Sequence, residues 1–280
     1  EDMEWEELGN ILFDTLEKYD TPFIIMIDEF PKMIERFHEN KIDTFLSWFR
    51  TCRVNANKEL RKHRFILTGS IGINYLLRQT KNTDTLNDWI RHYLGEISRK
   101  NAEILFMGLY NKQFKQIPNN IITAHYFKIL DCRVPFFIHL FFHQLMQHPE
   151  TGKGNFSSGV LEEVFWKELL GKRCKAHFDH YKDRFSQYKK KRKKAAELIL
   201  KKITGTRGFS IKRVDLWKYI KYKLGDTIDD LAFNDIMGDL EVEWYVTLEN
   251  PEAPLNEQHY KFQIPLLARW WTRFYPVLGE

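Results

Sequence analysis

Apolar residues recur at helical spacing through MEWEELGNILFDTLEKY, residues 3–19, and predict an amphipathic helix. Pro22 punctuates that pattern. FIIMI then runs apolar on both faces, as a strand inside a covered parallel sheet does, and stops at two adjacent carboxylates, Asp28 and Glu29. PKMIERF and IDTFLSWFRTCRVN return to helical periodicity. HRFILTGSIG repeats the short apolar run and ends in small polar residues, among them Thr68 and Ser70. A helix is expected over Ile73–Arg78, and NAEILFMGL reads as a third strand. Strands and helices alternating at this spacing predict the α/β class, with a doubly wound parallel sheet. Ligands of such sheets sit beyond the carboxyl ends of the strands, which is where Asp28, Glu29, Thr68 and Ser70 stand.

From Asn111 the strand signals stop. NNIITAHYFKILDCRVPFFIHLFFHQLMQH predicts two helices meeting near Asp131–Pro135, and residues 158–203 read as mostly helical with charged outer faces. GFSIKRVDLWKYIKYKLG and DTIDDLAFNDIMGDLEV are two further helices, and WYVTLEN with HYKFQI makes a β-hairpin. Two helices followed by a hairpin outline a winged helix, closed here by the aromatic helix PLLARWWTRF. The expected domains are a core over 1–110, a helical lid and basic connector over 111–200, and a winged-helix domain over 201–280.

Composition narrows the class. At 280 residues, with 43% hydrophobic and 15% aromatic residues, the chain can bury a sizeable core and does not have the composition of a disordered protein. Cys52, Cys132 and Cys174 are far apart, without the spacing of a disulfide framework or a zinc knuckle, which suits a reducing cytoplasm. VPFFIHLFFHQLM is too short and too interrupted by histidine to span a bilayer. HFDHY at His177 reads as a helix face, and no Ser-His-Asp or Cys-His arrangement stands out. The formal net charge of +5 conceals an asymmetry: Lys167–Lys202 holds 14 Lys or Arg against 4 Asp or Glu. Basic character therefore belongs to one segment.

Within it, YKKKRKK places Lys189, Lys190, Lys191, Arg192, Lys193 and Lys194 in a row that could hold a nucleic-acid backbone, with steep salt dependence. The plainer alternative is a solvated helix end. The second winged-helix element, the one that would enter a DNA groove, carries Asp226, Asp229, Asp230, Asp235, Asp239 and Glu241 and no Lys or Arg. A phosphate-lined groove repels such a helix, so this domain is read as a protein-packing module.

Two carboxylates at a buried strand end are costly unless something positive offsets their desolvation. A magnesium ion on a nucleotide phosphate does so in P-loop proteins, and five apolar residues followed by Asp-Glu is the Walker B pattern. A strand ending in a solvated acidic turn is the alternative. FIIMIDEFPKMIERF, FLSWFRTCR, RFILTGSIGINYLL, the CRVPFFI segment and the terminal winged helix together resemble a STAND-type P-loop ATPase, related to AAA+ proteins and of the archaeal-ATPase-like branch. The resemblance runs from about Thr21 to the end, and IDEFP with RFILTGSIG are its most specific pieces. It implies ATP and Mg²⁺ as ligands, with Asp28 helping to hold the metal, Glu29 as the catalytic glutamate, and Thr68 or Ser70 as the polar sensor of the γ-phosphate.

The resemblance also implies that Pro135, with Arg133 in the same DCRVP turn, lies against the nucleotide in the lid, although a helix-start proline accounts for Pro135 equally well. Arg78 could reach a phosphate or be a solvated helix arginine. The departure is an absence: no GxxxxGK[ST] occurs in these residues, and TGKGN at Thr151 lacks the spacing and a preceding strand. The chain begins with Glu, and an upstream stretch carrying the first strand and the phosphate loop is expected; the 280 residues alone are not expected to hydrolyse ATP. The implied role is a nucleotide-controlled signalling or defence switch that acts through a protein partner or self-assembly. A nucleic-acid-binding winged-helix protein and a non-catalytic scaffold with a degenerate ATPase fold are the competing readings.

Overall fold

The computed structural model describes residues 4–19, 21–57, 63–69, 85, 87–90, 92 and 94–276. The chain forms two compact units, residues 1–92 and 93–280.

In the first unit, helix α1 (Trp5–Glu17) leads to strand β1 (Ile24–Ile27), the short helix α2 (Phe30–Ile34), the long helix α3 (Glu39–Asn57) and strand β2 (Arg64–Leu67). β1 and β2 pair in parallel with Ile24 opposite Arg64 and Ile27 opposite Leu67. Helix α3 turns Ile42, Phe45, Leu46 and Phe49 inward at helical spacing, onto Phe30 and Ile34 of α2 and onto Phe65 and Leu67 of β2. Stacked and edge-on aromatic pairs fill this core, among them Phe45–Phe49 and Phe49–Phe65.

One turn beyond that stripe, Arg53 is 2% exposed. Its guanidinium lies over the Phe49 and Trp89 rings, 4.8 and 5.0 Å from their centroids, and bonds Asp88 at 3.0 Å and the Thr85 carbonyl. Partial burial works against the charged form of Asp88, but the Arg53 hydrogen bond and charge outweigh it and hold the carboxyl below its ordinary value. A depressed folded value contributes stability above the unfolded pKa of about 3.9, and that contribution is lost as pH falls through the folded value. Urea midpoints of the first unit should therefore fall as the pH drops below about 4. Asp88→Asn should lower the midpoint at pH 7 and flatten that acid limb; an unchanged limb would remove Asp88 as its cause.

The strands alternate exposed and half-buried positions. Ile25, Ile27, Phe65 and Leu67 face the core, whereas Ile24, Met26 and Ile66 are 64%, 70% and 42% exposed. The expectation of a strand covered on both faces is thus met on one face among the described residues.

In the second unit, four elements form the first bundle: α4 (Arg99–Phe114), α5 (Asn120–Leu130), α6 (Pro135–Met146) and the single turn α7 (Pro149–Gly152). The expected third strand is corrected here. NAEILFMGL lies inside α4, because Ser98 caps its start by accepting from the Asn101 amide, and the buried residues Ala102, Phe106 and Tyr110 recur every four positions. The apolar run has helical rather than alternating burial, and Ile104 within it is exposed. Helix α6 buries Phe137, Ile138, Leu140, Phe141, Phe142 and Leu145, too many for one stripe, which makes it the bundle's central element. Tyr126 of α5 stacks on Phe106 and donates to the Ile138 carbonyl at 2.6 Å.

Helix α8 (Ser158–Val164) continues into a π-helical turn at Phe165–Leu169, followed by α9 (Lys175–Asp183) and α10 (Lys190–Thr204). Strand β3 (Ser210–Lys212), helices α11 (Arg213–Leu224) and α12 (Asp230–Val242), the hairpin β4 (Val246–Glu249) and β5 (His259–Phe262), and α13 (Pro265–Phe274) complete the unit. The sheet is antiparallel in the order β3-β5-β4. Helix α10 buries Ala195, Ala196, Ile199, Leu200 and Ile203 and packs on α11, α12 and α13. Burial pushes the Cys132 thiol up to about 12, so it is a protonated core group at neutral pH. Among the described residues no helix is long and apolar enough to cross a membrane.

Candidate active site

Parallel pairing sets the carboxyl ends of β1 and β2 side by side, and this brings Asp28, Glu29 and Thr68 together. The Thr68 amide donates to the Ile27 carbonyl at 3.0 Å, and the Thr68 carbonyl accepts from the Phe30 amide at 2.9 Å. The chain leaving β1 is thereby fastened to the end of β2. Asp28 Oδ1 accepts from the Thr68 hydroxyl and, at 2.9 Å, from the Glu29 amide, which also approaches Thr68 Oγ1 at 3.3 Å. The Asp28 carboxylate is fixed in orientation by these two donors.

Glu29 sits in the left-handed region, with φ 50° and ψ 42°, directly before α2. That conformation costs a non-glycine residue about 1–2 kcal/mol. Here it reverses the chain so that Phe30 enters the core while the Glu29 side chain stays at the rim, 3.4 Å from the Lys32 ammonium. Asp28 is exposed and Glu29 half-buried. The carboxylates therefore are not buried at the strand end as the apolar run suggested: the chain turns outward straight after Ile27, so water solvates them. Lys32, one turn along α2, is a neighbour of the site that the strand pattern alone did not single out.

Ser70 and Arg78 lie outside the described residues. Pro135 and Arg133 belong to the second unit. Pro135 opens α6 as its first residue, where its missing N–H is no loss. Arg133 is engaged by Glu96: its amide donates to Oε1 at 2.8 Å and its guanidinium to Oε2 at 2.6 Å. The left-handed position in this turn is Asp131, at φ 48°, whose carboxylate takes a 2.9 Å bond from Arg269 of α13. Glu96, Asp131 and Arg133 line a cleft of about 530 Å³ with Lys128 of α5 and Lys261 of β5.

Among the described residues no cluster of three His, Cys, Asp or Glu side chains could hold a metal alone. Mg²⁺ does not need one, because it keeps several waters and takes one or two carboxylates together with substrate phosphates. An exposed carboxylate of fixed orientation, such as Asp28, fits that requirement.

No protein-family model matches the chain, and no curated protein matches its sequence. A solved structure does. The Walker-type ATPase of Pyrococcus abyssi superposes with a TM-score of 0.62 at 13% identity, over 96% of this chain and 68% of that one. The fold is ATPase-like. The ORC2 protein of Aeropyrum pernix, solved as ADPNP and ADP complexes, aligns over 97% of this chain and 71% of its own, at 12% identity and a TM-score of 0.47. Asp28, Glu29 and Thr68 stand at the carboxyl ends of two parallel strands, the place where parallel α/β sheets in general take their ligands.

Proposed function

We propose that these residues belong to a STAND/AAA+-type ATPase that works as an ATP-controlled signalling or defence switch, with Mg-ATP at the carboxyl ends of β1 and β2. The observation that carries this reading is the joint placement of Asp28, Glu29 and Thr68, one bonded group from two parallel strands. Asp28 holds the Mg²⁺ shell through its outward carboxylate. Bound Mg²⁺ neutralises charge on the phosphates. Glu29, held at the rim by its left-handed backbone, orients the attacking water. Thr68, already bonded to Asp28, reports the γ-phosphate to the end of β2.

The 280 residues contain no GxxxxGK[ST] motif, and Ile24, Met26 and Ile66 are exposed on one face of the β1–β2 pair. Residues 111–200 form the lid. Residues 201–280 form a winged helix that keeps the lid closed through protein contacts. The order of α10, β3, α11, α12 and the β4–β5 hairpin supports that assignment.

Binding of a fluorescent ATP analogue to the full-length protein tests the metal role. Wild-type affinity should drop when EDTA replaces Mg²⁺. Asp28→Asn should lose about 10-fold or more in Mg²⁺-dependent affinity, the size expected for a charged contact of roughly 1.5–3 kcal/mol. Equal affinity with and without Mg²⁺ in both proteins would overturn the assignment of Asp28.

A further inference from the structure

The basic run at 189–194 is not uniformly available for contact. Arg192 is half-buried and paired with Asp239 of α12, an acid whose side chain is 4% exposed, and it also bonds the Asp235 carbonyl at 3.0 Å. Tyr188, just before α10, bonds Glu243 at 3.0 Å. The start of α10 is thus fastened to an acidic helix, whose charges offset the adjoining lysines.

The other end of α10 is different. There Lys202 lies over the Tyr219 ring of α11 at 4.6 Å, and Lys223 lies 5.7 Å from the same ring and 5.5 Å from Tyr222. Tyr222 is 82% exposed. Lys218 and Lys223 are exposed on either side of it, and Lys218 and Tyr222 share a helix face one turn apart. Asp215 is the acid on that face, while Asp226 is engaged by Lys221 at 3.1 Å. Together α10 and α11 carry 11 Lys or Arg against 2 Asp or Glu, so the local potential is positive.

We infer that the α11 face around Tyr222, with Lys202, Lys218 and Lys223, binds single-stranded nucleic acid, stacking a base on Tyr222 and holding the flanking phosphates with the lysines. This goes beyond the ATPase reading and does not depend on it. A solvated aromatic ring among cations matches an unpaired base with its phosphates, because every base offers a π-face and each phosphate a charge. A duplex keeps its base faces stacked and leaves the ring unused. An anionic membrane calls for a continuous apolar helix face sunk among the lipids, and this face is broken by Asp215 and Lys218 beside Tyr219 and Tyr222. The acidic α12, which would enter a groove in a winged helix, is repelled by phosphate.

The test is fluorescence anisotropy with a fluorescein-labelled 20-nucleotide oligo(dT), full-length protein and no nucleotide, across a salt series. Wild-type protein should bind the single strand more tightly than a 20-base-pair duplex. Tyr222→Ala should weaken binding about 10-fold, at the lower half of the range for losing one stacked base, and Tyr222→Phe should retain it. Lys218→Ala with Lys223→Ala should reduce the salt slope by about 1.4, from roughly 0.7 per lost phosphate contact. The proposal is overturned by absence of binding at low salt. It is also overturned by binding that Tyr222→Ala leaves unchanged while Lys190→Ala with Lys194→Ala abolishes it, or by a preference for phosphatidylserine vesicles over oligo(dT). Because Tyr222 is so exposed, unchanged melting curves will show that the variants fold.

Discussion

Glu29→Gln in the full-length protein should lower steady-state ATP hydrolysis by about 100- to 10,000-fold, the span associated with losing a positioned acid–base group. Binding of Mg-ATP should stay close to wild type. The substitution is nearly isosteric, and the Glu29 contacts to Asp28 and Thr68 run through its backbone amide, which glutamine keeps. What changes is the carboxylate at the rim and its 3.4 Å pairing with Lys32. Both strand ends should therefore keep their places while the group proposed to orient water loses its charge. Turnover surviving in Glu29→Gln would remove Glu29 from the mechanism and leave the solvated acidic turn as the better account of Asp28-Glu29. Loss of ATP binding together with turnover would instead show that Glu29 serves the ground state, contrary to the role proposed.

The largest stability effect is expected at Trp270. This side chain is 0% exposed in α13, stacked on Phe178 of α9 at 5.6 Å and edge-on to Trp271 at 5.8 Å. Trp270→Ala should destabilise the second unit by about 3–5 kcal/mol, because transfer energy and cavity energy are lost together. For a body of this size each kcal/mol lowers Tm by about 2–4 °C, so the shift is on the order of 10 °C. Differential scanning calorimetry measures it directly. The first unit's core, built from Phe30, Ile34, Phe45 and Phe49, contains none of these residues. A Tm within about 2 °C of wild type would mean that α13 is not part of the second unit's cooperative core.

The hydrophobic pattern was informative where one period dominates and a capping or breaking residue marks the edge. Helix α1, both parallel strands, the turn at Asp131–Pro135 and the β4–β5 hairpin follow from such signals, and Asp28, Glu29 and Thr68 follow from their places at strand ends. The pattern misleads at NAEILFMGL, where a run of six adjacent apolar and small residues fits a strand as well as a buried helix, and packing of Ala102, Phe106 and Tyr110 decides for the helix. It misleads again on burial: an apolar run says that its side chains avoid water, not how soon the backbone turns out of the sheet, and the left-handed Glu29 makes that turn at once.

Charge was legible only as a sum. The sequence by itself determined that positive residues concentrate between Lys167 and Lys202 and that DTIDDLAFNDIMGDLEV is acidic. Only the tertiary structure decided that Arg192 spends its charge on Asp239, that Arg133 answers Glu96, and that Tyr222 stands exposed among lysines. The reason is that periodicity records which side of an element avoids water, a property of neighbours along the chain. An ion pair or an open ring depends on what another element brings within a few ångströms, and contacts of such long sequence separation leave no local pattern to read.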